Sequence, residues 1–170
     1  MSGELVKFPP KLILKTKAPR YTAPMTKGTL KNKTQLTVEM PIMSFETDYQ
    51  GIVNNTEFIR FLERVRYVLS KKLGFSFKQV RSAKLWTVMA HVEINYVSPA
   101  RFEDILLGTG WVEKMGRSSI TIGYDFRLKG SYRLIADARQ VLVFVNTTDL
   151  KSRPIPPKVR RKISRLLSLD

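Results

Sequence analysis

The chain has 170 residues, 43% of them apolar, and a formal net charge of +16. That length fits one domain with a core of its own, and no window approaches the ~18 uninterrupted apolar residues that a membrane-spanning helix needs. With 0 Cys and 1 His, the chain has no means to build disulfide frameworks, thiolate metal sites, cysteine nucleophiles or histidine-rich metal centres, so neither metal nor cofactor is expected.

The charge is unevenly spread. Residues 1–34 carry 8 Lys/Arg and 1 acid, residues 151–170 carry 7 and 1, and residues 35–150 carry 15 and 12. This predicts a basic, flexible amino-terminal arm over 1–34, a globular domain over 35–150, and a basic carboxy-terminal segment over 151–170. The arm holds Pro9, Pro10, Pro19 and Pro24 among scattered lysines and shows no hydrophobic period. Its apolar run, Leu12-Ile13-Leu14, falls short of the roughly 7 to 15 residues of a secretory signal. A cytoplasmic location is expected, with an organelle address in the arm left open. Basic ends of this kind can bind nucleic acid, anionic lipid or an acidic carrier protein, or simply keep the chain soluble.

A first strand is predicted from Thr37 to Phe45, then a turn over Glu46-Thr47-Asp48-Tyr49-Gln50-Gly51. Phe58, Phe61, Leu62, Val65 and Leu69 recur at spacings of three and four, which predicts an amphipathic helix from about Asn55 to Leu73, stopped by Gly74. From Lys84 to Val97, alternation places Trp86, Val88, Ala90, Val92, Ile94 and Tyr96 on one face, opposite Thr87, His91, Glu93 and Asn95. Further strands follow over Ile105 to Glu113, Ser118 to Leu128 and Arg133 to Asn146. The last is apolar on both faces near its end, which predicts a central or interface strand. Pro156 and Pro157 can open a final helix with Val159, Ile163, Leu166 and Leu167 on one side. One strand, a long helix and four strands joined by short turns make an α+β fold, an antiparallel sheet of about five strands covering one helix.

No GxSxG elbow, P-loop or dinucleotide glycine pattern is present. What remains is Asp48, an acid in a tight loop just ahead of the long helix, whose first N–H groups lack intrahelical partners and carry partial positive charge. A thioester carbonyl needs an acceptor site for its oxygen, and a carboxylate to attack it or to activate water. Asp in such a loop is also a common cap and turn former, and on the residues alone both readings stand. Glu63 reads as a surface partner of neighbouring arginines, and His91 as a structural residue facing away from the Trp86 stripe. Trp86 and Trp111 read as core or pocket lining. Asp137 is unusual for a central strand.

The segment Phe45-Glu46-Thr47-Asp48-Tyr49-Gln50-Gly51-Ile52-Val53-Asn54-Asn55, followed by Phe58-Ile59-Arg60-Phe61-Leu62-Glu63-Arg64, resembles the D-x-x-G-x-V-x-[NYH] signature of the 4-hydroxybenzoyl-CoA thioesterase-like branch of the hotdog superfamily. His91 to Tyr96 with Pro99-Ala100-Arg101, then Gly116-Arg117-Ser118-Ser119, then Arg153-Pro154-Ile155-Pro156 resemble later blocks of that family in the same order. The resemblance spans residues 35 to 160 and implies a hotdog fold and an acyl-CoA thioesterase. It implies that Asp48 is the catalytic carboxylate, as nucleophile or as general base, and that the main-chain N–H of Asn55 polarises the carbonyl. Gly51 permits the turn, and Gly51, Val53 and Asn54 fall at substrate-contacting positions. Arg117, Ser118 and Ser119 fall where relatives lie near the pantetheine and phosphates of coenzyme A.

The resemblance further implies a homodimer or homotetramer with sites at subunit interfaces, a substrate carried by coenzyme A or an acyl carrier protein, and a place in fatty acid metabolism. Nucleic-acid binding is not expected on this reading. Its alternative is a non-catalytic hotdog protein that binds an anionic partner through basic termini. A hydratase on the same fold needs a catalytic His paired with an acid, for which His91 is poorly suited.

Overall fold

The computed structural model describes residues 33–167, so the arm apart from Lys33 and Thr34 lies outside the described residues. Strand β1 (Leu36–Pro41) leads through a 3-10 turn (Ser44–Glu46) to α1 (Glu57–Leu73) and a short α2 (Phe77–Ser82). Strands β2 (Leu85–Tyr96), β3 (Ile105–Met115), β4 (Ser119–Leu128) and β5 (Leu134–Asn146) follow, then α3 (Pro157–Leu167). The strands form one antiparallel sheet in the order β1-β3-β4-β5-β2. It wraps α1 in the expected α+β hotdog arrangement.

The apolar stripe of α1 drives this wrapping. Phe61, Leu62, Val65, Leu69 and Leu73 are fully buried, and Phe58 nearly so. Each such side chain removed from water contributes about 1.5–3 kcal/mol. Helix and sheet approach closely because β3 carries Gly108 and Gly110 beneath Val65. A Cβ at either would lie 2.8 or 2.7 Å from a Val65 methyl. Phe126, Tyr124, Ile122 and Ile120 of β4, with Leu142 and Phe144 of β5, complete the core.

Four expectations need correction. The first strand stops at Pro41, whose missing N–H cannot extend the ladder, and the chain tightens into the 3-10 turn. The long helix begins at Glu57 rather than about Asn55, with Thr56 at its N-cap position and the Asn54 side chain accepting from the Thr56 N–H just ahead of it. The four later strands are not a meander: β2 pairs with β5 at one edge, and the 97–104 segment carries the chain across to β3. The Trp86 to Tyr96 stripe is split by an irregularity between Met89 and His91. Thr87 and Met89 oppose the inward Phe144 and Leu142, whereas Val92 and Ile94 oppose Gln140 and Ala138. Trp86 and His91 therefore share the outer face.

Helix α2 is additional to the sequence reading. It opens on a capping box in which Ser76 and Gln79 satisfy each other's backbone N–H groups. Strand β5 is interior, as its double-sided apolar character implied, and its Asp137 is buried against Asn95 Nδ2 at 2.8 Å. The carboxy-terminal segment packs into the same core through Ile155, Val159 and Ile163. Among the described residues, no helix is long and apolar enough to cross a membrane.

Candidate active site

The loop between the 3-10 turn and α1 is fixed by a carboxylate that the sequence reading passed over. Glu46 is fully buried. Its Oε1 accepts from Arg64 Nη2 at 2.8 Å and its Oε2 from the Met43 N–H at 2.9 Å. The Glu46 carbonyl accepts from the Asn54 N–H at 2.9 Å, so one residue holds both ends of the loop. The signal in the sequence was faint, a Glu and an Arg 18 residues apart on elements of different period.

Within this frame Asp48 makes the turn. Its N–H donates to the Ile52 carbonyl at 2.8 Å, its carbonyl accepts from the Gly51 N–H at 3.0 Å, and its Oδ1 accepts from the Gln50 N–H at 2.8 Å. Gly51 sits at φ +70, a left-handed conformation that costs glycine little. The turn is clamped to the 97–104 segment by an Ile52–Arg101 bridge and by the Val53 N–H on the Ala100 carbonyl. Asp48 Oδ2 has no partner among the described residues. The turn thus engages one carboxylate oxygen and leaves the other free.

Asn54 Oδ1 accepts from the Thr56 N–H and hydroxyl at 2.9 and 2.8 Å. Asn55 then stands exposed at the helix tip. Its carbonyl accepts from the Tyr96 hydroxyl at 3.0 Å, and its N–H finds no acceptor among the described residues. Below lies a cleft of about 310 Å³ lined by Ile52, Val53, Asn55, Phe58, Tyr96 and Ala100. Phe58 meets the Tyr96 ring edge to face, centroids 5.3 Å apart. Of the expected site residues, Val53 and Asn55 line this cleft, whereas Asp48, Gly51 and Asn54 belong to the loop leading to it and do not line it. Val53 is also core, and the Asn54 side chain turns back on Thr56. A helix-terminal amide at the rim of such a cleft can hold a carbonyl oxygen.

Arg117, Ser118 and Ser119 are not brought there. They form the β3–β4 turn, whose carbonyls accept from Phe144, Ile155 and Arg160. The eleven residues of β3 put that turn about 30 Å along the sheet from the Asp48 loop. Glu63 pairs with Arg66 at 3.1 Å on the surface. Among the described residues, no group of three or more His, Asp or Glu is placed to hold a metal ion.

Residues 45–163 match the model of the thioesterase-like superfamily. The chain belongs to that superfamily. It is 22% identical to the long-chain acyl-CoA thioesterase FadM of Escherichia coli over 129 residues, 76% of this chain and 97% of that one. It is 24% identical over 138 residues to the chloroplastic acyl-acyl carrier protein thioesterase ATL3 of Arabidopsis thaliana, 78% of this chain and 70% of that one. Its fold superposes on the DHNA-CoA thioesterase of Staphylococcus aureus with a TM-score of 0.74 at 19% identity, covering 79% and 92% of the two chains. At the level of the family, the expected thioesterase is an enzyme of this class.

Proposed function

We propose that this thioesterase hydrolyses acyl thioesters of coenzyme A or of an acyl carrier protein, with Asp48 as the reacting carboxylate and the Asn55 amide as oxyanion site. The observation that carries this is the free Asp48 oxygen in a hydrogen-bonded turn of the same loop that ends at the unpaired Asn55 amide, which borders an apolar cleft. Relatives named as acyl-CoA and acyl-acyl carrier protein thioesterases support both carriers.

Two routes balance. As nucleophile, Asp48 bonds to the carbonyl carbon, the C–S bond breaks, the thiolate leaves and takes up a proton, and water then cleaves the mixed anhydride. As general base, Asp48 takes a proton from water as its oxygen attacks, and the tetrahedral intermediate expels the thiol. Single turnover in labelled water separates them, since only the first route can leave the label in the Asp48 carboxylate.

The site is shared between two copies on this reading. Strand β2 is an edge whose exposed Trp86, Val88 and Met89 would otherwise invite aggregation. Two β2 edges paired antiparallel about a two-fold axis set the Leu85 end of one copy beside the Tyr96 end of the other. That brings Arg117, Ser118 and Ser119 of one copy toward Asp48 of its mate, where a cation and hydroxyls suit the carrier's phosphate. Such dimers can pair again as tetramers.

Asp48→Asn tests the function. Turnover of acyl-CoA is expected to fall about 10²–10⁴-fold with the mass in solution unchanged at a dimer or a multiple of it. Equal turnover in both proteins, or a stable monomer, contradicts the proposal.

A further inference from the structure

Cations crowd one end of the molecule. There α1 ends, α2 and β2 begin, the β3–β4 turn closes and α3 docks. Hydrogen bonds tie these parts together. Thr147 N–H donates to the Lys84 carbonyl, Ile155 N–H to the Arg117 carbonyl, and Arg160 Nη2 to the Gly116 and Arg117 carbonyls. The Lys162 stem lies 3.7 Å from where a Gly74 Cβ would stand. On this end Lys78, Arg81, Lys158, Arg161, Lys162 and Arg165 are exposed, and none has an acidic partner among the described residues. The acids near this end, Glu63, Glu113 and Asp149, are already paired with Arg66, Arg139 and Arg153.

We propose that this surface of α2 and α3 docks an acidic carrier protein that presents the acyl thioester. The inference rests on the thioesterase reading above and names the carrier. Lys158, Arg161, Lys162 and Arg165 stand at i,i+3 and i,i+4 spacings on α3, where like charges repel, a cost that a polyanionic partner relieves. Helix α3 extends about 16 Å, so the cations cover more surface than the few phosphates of coenzyme A can reach. A lipid surface fits poorly, because a helix that binds membranes needs a free apolar face and α3 has buried Val159 and Ile163 in the core. The polyanion must also arrive where the thioester is consumed. Through Arg160 the surface adjoins the Arg117 turn, which in the paired arrangement borders the mate's Asp48. Phe77, 66% exposed at the start of α2 beside Lys78, supplies the apolar contact that protein interfaces place among charges.

The test is the charge-reversal pair Arg161→Glu/Arg165→Glu in the full chain, with Lys78→Glu/Arg81→Glu as a second variant. Two quantities are read: binding of a fluorescent holo-acyl carrier protein at about 0.15 M salt, and the ratio of kcat/KM for an acyl-carrier substrate to that for the matching acyl-CoA. Both variants are expected to weaken carrier binding and to lower the ratio, each about tenfold or more. Unchanged binding and ratio overturn the proposal. So does a wild-type protein that holds a single-stranded oligonucleotide more tightly than the carrier. If neither thioester is hydrolysed, the catalytic reading fails on its own, and the binding arm still decides whether an acidic carrier docks here.

Discussion

Arg64 Nη2 lies 2.8 Å from Glu46 Oε1, an ion pair with the Glu46 side chain fully buried and the Arg64 side chain 45% exposed. The pair ties the second turn of α1 to the residue that opens the Asp48 loop. Removing Arg64 strands a buried charge, whereas removing Glu46 orphans the Met43 N–H and lets a solvated arginine go.

Arg64→Ala is accordingly expected to destabilise more than Glu46→Gln, by about 3 against about 1–2 kcal/mol, measured by denaturant unfolding. Both should lower kcat more than they raise KM, because the loop loses position rather than a substrate contact. Arg64→Lys keeps the charge but not the guanidinium geometry and should recover only part of each loss; full recovery would place the role in charge alone.

At Asn55 the main-chain amide carries the chemistry. Asn55→Ala keeps the N–H and is expected to retain kcat within about threefold, whereas Asn55→Pro deletes it and should cost about 10²–10³-fold. Far-ultraviolet circular dichroism checks that α1 persists in both. Equal loss in the two variants would place the role in the side chain instead.

Burial holds the Tyr124 phenol well above its ordinary value of 10.0, with the nearby Arg66 charge acting the other way. The buried hydroxyl donates to Gln140 Oε1 at 2.7 Å. Because the phenol ionises more easily in the unfolded chain, its stabilising contribution is complete below about pH 10 and is lost as pH rises beyond it. Denaturant unfolding at about pH 8 and pH 11 should show this decline in the wild type, and a shallower one in Tyr124→Phe. At neutral pH that variant should cost about 1–2 kcal/mol, since Gln140 Oε1 loses its donor.

The apolar positions of α1 and the alternation in β4 were legible because each follows one period over many residues. Periodicity failed where a single residue interrupts it. The irregularity at Met89–His91 exchanges the faces of half of β2, which no count of alternating residues reveals. Pairing of β2 with β5 rather than β3 is a choice among edges, settled by how the sheet closes around α1. The Asp48 loop was readable as a motif, and the tight turn it implies is formed through Asp48, Gly51 and Ile52. Glu46 was not readable, because its partner comes from another element and only the fold brings them within reach. The separation of Arg117 from Asp48 was equally hidden, since sequence order gives no distance along a sheet.

A subunit-mixing experiment tests most directly that one working site combines Asp48 of one copy with Arg117 of another. Asp48→Asn and Arg117→Glu proteins are each assayed for thioester hydrolysis below KM, then mixed, allowed to exchange subunits and assayed again. A shared site regenerates one intact copy per mixed dimer, so activity should climb to about a quarter of wild type. A mixture no more active than the sum of its parts would contradict the shared site.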